Sequence, residues 1–126
     1  MDITNTEQGE WLELDCIDDK VGSFKLRLLP IPANLRAKMK DLPEDGGEAE
    51  IAVPFIPYVV GWTMTRGADE VACTDDEKAK ILPHVLFLRV KPKTFEDNED
   101  IMKQGWIMAL WEVVKFATNK NNFVKN

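Results

Sequence analysis

The last strongly patterned stretch of the chain, residues 94–118, constrains the fold more than any other. Its second half reads Gly105-Trp106-Ile107-Met108-Ala109-Leu110-Trp111-Glu112-Val113-Val114-Lys115-Phe116-Ala117. Wound as one helix, Met102, Trp106, Ile107, Ala109, Leu110, Trp111, Val113, Val114, Phe116 and Ala117 fill an apolar arc of roughly 220°. A surface helix needs a stripe of only about 100° or a little more. The remaining stripe carries Gln104, Glu112, Lys115 and Asn119, with Met108 among them. Such a helix has to be wrapped on most sides, by its own domain or by a partner. Thr94 is expected to cap it, with Glu96 and Asp97 in a first turn where carboxylates favour the helix dipole.

The elements that could do the wrapping are legible upstream. The run from Trp11 to Ile17 alternates in part and reads as a strand. Asp18-Asp19-Lys20 supplies turn chemistry, and Phe24, Leu26 and Leu28 share one face of a second strand. Together they predict a β-hairpin. Pro30 and Pro32 stop the second strand, and Pro32 suits the first turn of a helix. That short helix, 34–41, turns Leu35, Met39 and Leu42 to one side and Arg36, Lys38 and Lys40 to water. Residues 42–47 break it. The segment 48–63 is read as a buried short helix ending near Gly61, with a strand over Tyr58-Val59-Val60 as the alternative. Thr74-Asp75-Asp76-Glu77 is a capping box that opens a helix to about Val90, with Ile81, Val85 and Leu88 inward and Leu82 and Leu86 beside them. The fold expected is therefore α+β, an N-terminal β-hairpin packed on a small bundle of three to four helices. It occupies a single domain, 1–126, with flexible tails at 1–8 and 119–126.

Composition and spacing weigh against several chemistries. A formal net charge of -6 over 126 residues argues against nucleic acid as a partner, since phosphate contacts need a basic surface. The acidic residues gather at 41–50, 69–77 and 96–100, read as solvated loops and helix starts, with a docking surface for a basic partner as the alternative. No apolar run reaches the roughly 18 residues of a membrane span, so no membrane association is expected, and a cytoplasmic location is. No metal or other cofactor is expected: His84 is the sole histidine, and no Cys-x-x-Cys pair exists. The run 96–100 lacks the central glycine of a calcium loop. Cys16 reads as a buried small hydrophobe. The sole serine, Ser23, lies in a strand rather than in a nucleophile turn, and the glycines are scattered rather than gathered into a phosphate cradle. No catalytic residue stands out, and the chain reads as a protein that acts by binding.

Two stretches carry a family resemblance. The first is Phe24-Lys25-Leu26-Arg27-Leu28-Leu29-Pro30-Ile31-Pro32, followed by the short basic helix through Arg36, Lys38 and Lys40. The second is Tyr58-Val59-Val60-Gly61-Trp62, followed by a polar loop and the helix opened by Thr74. In these the chain resembles the tail assembly chaperones of long-tailed bacteriophages and prophages, from about Trp11 to Phe116. The resemblance implies a non-enzymatic protein that coats the tape measure protein, recruits tail tube subunits and self-associates as a homo-oligomer, in the bacterial host cytoplasm. A structural neck or tail-completion protein, or a small acidic regulator of a host partner, are the alternatives.

The aromatic residues localise the expected contact. Trp62 and Trp106 read as core. Trp111 at one edge of the apolar arc, Met108 within the polar stripe, and Phe123 in the Lys/Asn-rich tail are the candidate partner-binding residues.

Overall fold

The structure, a computed structural model, describes residues 9–38 and 48–123. Strands β1 (Glu10–Asp15) and β2 (Ser23–Leu28) form the expected antiparallel hairpin, with Leu12 opposite Leu26 and Leu14 opposite Phe24. The turn closes as its residues dictate: the Asp18 side chain accepts from Lys20 N at 3.0 Å, and its carbonyl accepts from Val21 N at 3.0 Å. Strict alternation buries Leu12, Leu14, Phe24, Leu26 and Leu28 on one face. Just before β1, Gly9 has φ 73°, and a Cβ there would lie 2.3 Å from the Leu28 carbonyl oxygen, so only glycine fits.

Helix α1 (Ala33–Lys38) follows the prolines, and the rest of the expected helix, 39–41, and the break at 42–47 lie outside the described residues. The segment 48–62 divides between its two readings. Helix α2 (Glu48–Ala52) runs into a 3-10 turn (Val53–Tyr58) and then into β3 (Val59–Trp62), which extends the hairpin to a three-stranded sheet. Pro54 and Pro57 lack the N–H groups that a continuing α-helix needs, whereas Val59 and Val60 suit a strand. A small hairpin, β4 (Thr65–Arg66) with β5 (Asp69–Glu70), leads on to the capping box.

Helix α3 (Asp75–Val85) is capped by Thr74, whose hydroxyl accepts from Glu77 N at 3.3 Å. Glu77 turns its carboxylate to Arg66 at 2.8 Å. The helix stops at Val85, short of the expected Val90, because residues 89–90 join a ladder: β6 (Arg89–Val90) pairs with β7 (Ile107–Met108). The same stretch reaches the end of β1 through Ile17 N to Arg89 O and Lys91 N to Asp15 O, at 3.1 and 2.8 Å. Within α3 Leu82 and Val85 are buried and Ile81 is partly buried; Leu86, just past its end, is fully buried, and Leu88 is partly buried.

The long terminal helix does not form as one piece. Helix α4 (Glu99–Gln104) ends at Gly105, which adopts φ 81° and donates its N–H to Ile101 O at 3.0 Å. Glycine takes this left-handed conformation without a Cβ penalty, so the helix closes there. Helix α5 (Ala109–Thr118) starts only after β7. Thr94 does not cap either helix; Asn98 caps α4, its side chain accepting from Asp100 N and Ile101 N at 3.1 and 3.2 Å. No side chain caps α5. Its first N–H groups instead donate to carbonyls of the α3–β6 turn, Leu110 N to Leu86 O at 2.7 Å and Ala109 N to Leu88 O at 2.9 Å. Leu110, Val113, Val114 and Ala117 then point into the core beneath the sheet. The fold is α+β, with its N-terminal antiparallel sheet packed on helices.

Candidate functional site

An open groove of about 440 Å³ lies where the expected terminal helix breaks. Phe95 comes from the loop after β6, Ile101 and Gln104 from α4, Trp106 to Met108 from the turn and β7, and Trp111 from the first turn of α5. The break makes the concavity, since α4 and α5 are no longer one rod and the space between them stays open. Met108 is half-buried and Trp111 is 37 % exposed, a large aromatic left at the surface beside Trp106. Trp111 stays out because Leu110, Val113, Val114 and Ala117 take the inward face of α5, about 100° away.

Two charged residues of α5, Glu112 and Lys115, hold the groove wall in place. Glu112, expected on the solvent stripe, is 0 % exposed. Its carboxylate accepts from Lys93 N at 2.9 Å, from Thr94 N at 3.2 and 3.3 Å and from the Thr94 hydroxyl at 2.6 Å. A buried carboxylate is tolerable only when its lone pairs are met in this way. One turn on, Lys115 Nζ donates to the Thr94 carbonyl, sits 4.1 Å from the centroid of the Phe95 ring and lies 3.6 Å from Asp97. Glu112 and Lys115 thus clamp the loop that presents Phe95. Trp106, expected in the core, is half-buried, with the Arg89 guanidinium 4.5 Å over its ring. Trp62 is buried as expected, its Nε1 donating to Val71 O at 2.7 Å.

Of the three candidate residues, the fold brings Met108 and Trp111 into one groove and sets Phe123 elsewhere. Phe123 packs edge-on against Phe116 with ring centroids 5.9 Å apart, and Asn122 Nδ2 donates to Phe116 O at 2.8 Å. Phe123 thus has its aromatic neighbour on α5. Residues 120–122, expected in a flexible tail, form a 3-10 turn. Phe95, Ile101, Glu112 and Lys115 were not singled out from the sequence. The available signal was the charged pair Glu112 and Lys115, spaced to share a face of a helix that is otherwise wrapped in apolar residues.

Elsewhere, Lys78 is buried in α3, its Nζ donating to Val59 O at 3.0 Å, which ties α3 to β3. His84 is exposed near the end of α3. Among the described residues no group of His, Cys, Asp and Glu side chains could hold a metal ion, and no helix is long and apolar enough to cross a membrane. Comparison with protein-family models, with curated proteins and with solved structures finds no match to this chain.

Proposed function

We propose that this chain is a non-enzymatic tail assembly chaperone of a long-tailed phage or prophage, acting in the host cytoplasm, and that its groove holds helical segments of the tape measure protein. The observation that carries the reading is the open apolar groove in which Trp106, Met108 and Trp111 converge. An amphipathic helix buries its apolar face by lying in such a groove, with anchors at i, i+3 or i+4 and i+7. A tape measure protein, as the resemblance describes it, is a long helical chain that offers many such faces. Recruitment of tail tube subunits and self-association follow from the same resemblance.

Co-expression with the tape measure protein encoded in the same genome tests the reading. The expected result is a soluble complex that is lost with Trp111→Glu. A tape measure protein that stays insoluble beside the wild-type chain, or stays soluble beside Trp111→Glu and Met108→Lys alike, overturns it. Mass spectrometry of mature virions adds a second check, since stoichiometric presence there would favour a tail-completion part instead.

A further inference from the structure

The segment that supplies one wall of the groove is acidic. The segment that supplies Phe95, Ile101 and Gln104 carries four carboxylates, Glu96, Asp97, Glu99 and Asp100, against Lys103. All four are exposed. Asp97 faces Lys115 at 3.6 Å, and the other three make no ion pair among the described residues. Two other cations border the groove, and both are already engaged with its rings: Lys115 over Phe95 and Arg89 over Trp106. Trp111 has no such cation among the described residues, and it is the most open of the groove's aromatic rings.

Resting on the reading of the groove as a helix-binding site, we propose that its occupant is a cationic amphipathic helix, with an apolar face flanked by Lys or Arg. The apolar face fills the groove, one flanking cation covers Trp111, and others meet the acidic segment next to Phe95 and Ile101, Glu96 and Asp100 first. A ring face attracts a cation, and an acidic segment favours encounter with a basic partner while repelling an acidic one. A second copy of this chain is the competing occupant. Met102, 45 % exposed on α4, is the apolar knob nearest to the groove in sequence. A two-fold contact through α4 would bring the same three unpaired carboxylates of each copy together, and like charges at an interface are unfavourable. The chain's net charge of -6 acts in the same direction at longer range. Self-association then uses another surface.

The test uses the whole chain and two synthetic amphipathic peptides with one apolar face, flanked by Lys in one and by Glu in the other. Fluorescence anisotropy reads the affinities in NaCl from about 20 mM to about 500 mM, a span that takes screening from weak to strong. The Lys-flanked peptide is expected to bind about tenfold tighter at low salt, with the difference collapsing at high salt. The Glu96→Gln/Glu99→Gln/Asp100→Asn variant, checked for folding by circular dichroism, is expected to lose the preference and keep residual binding. Should that variant fail to fold, the salt series on the wild type decides. Equal binding of both peptides, or a preference that neither salt nor the variant changes, overturns the cationic occupant and leaves the groove reading standing. Binding of neither peptide overturns both. Light scattering that shows a dimer dissolved by Trp111→Glu assigns the groove to a second copy and overturns the proposal.

Discussion

Glu112 works as a structural acceptor, and its worth follows from what it leaves behind when removed. Replacing it with Ala strands two backbone N–H groups and a hydroxyl in a part-buried place, at a cost of roughly 1–3 kcal/mol for each group left unsatisfied. Glu112→Ala is therefore expected to lower the urea midpoint clearly, and Glu112→Gln, which keeps one carbonyl acceptor, to lower it less; chemical denaturation reads both. Were Glu112 on a solvated stripe, neither change would register. The cysteines give a second prediction at this scale. Burial pushes the Cys16 thiol up, with Asp18 and Asp15 adding to it; burial also pushes Cys73 up, Lys78 opposing and Asp75 adding. The folded state thus holds these protons more tightly than the unfolded chain does. The resulting stabilisation is complete below the ordinary thiol range and is lost as pH rises through the raised folded values. Urea midpoints are expected to fall from neutral pH into the alkaline range, and less so in Cys16→Ala/Cys73→Ala.

At the scale of elements, Gly105 decides the shape of the site. A Cβ there would meet nothing within 4 Å, so the cost of Gly105→Ala is purely that of its left-handed backbone, about 1–2 kcal/mol. Gly105→Asn, which tolerates that conformation better, is expected to recover part of it in thermal melts. Ala also favours continuing the helix, so weaker peptide binding in the groove should accompany Gly105→Ala. The cap of α3 offers a control far from the groove. Thr74→Ala removes the hydroxyl that accepts from Glu77 N and is expected to cost about 1 kcal/mol without changing peptide affinity. The hairpin turn and the Thr74 half of the capping box were readable from local pattern, because each depends on groups a few residues apart; the Glu77 half did not form, its carboxylate going to Arg66.

Taken whole, the molecule covers most of its apolar surface with its own chain and leaves a small part open. Val113, Val114 and Leu110 are buried in the shared core, where α5 packs against β1, β7 and α1, and Phe116 is partly covered by Phe123. Trp11, Val21, Val53 and Met102 are exposed at scattered places, and the open apolar concavity is the groove around Met108 and Trp111. The Met108→Lys/Trp111→Glu variant removes a surface rather than a core, so its thermal midpoint is expected to stay close to that of the wild type while partner binding disappears. Substitution at an exposed position such as Trp111 costs within about 0.5 kcal/mol, and half-buried Met108 adds a modest further loss. A large fall in stability together with lost binding would place these side chains in the core and sink the surface reading.

The sequence by itself determined the N-terminal hairpin, the Thr74 cap, the α+β class, and the place of Trp111 at the edge of the apolar face of α5. Tertiary structure alone decided that residues 94–118 break at Gly105, that Glu112 faces inward and that Phe123 joins Phe116. The physical reason is the same in each case. An apolar arc states how much must be covered but not by what, and the covering elements arrive from far along the chain. The ladder between β6 and β7 competes with continued helix at 105–108, and the loop at 93–94 supplies the donors that make a buried carboxylate tolerable.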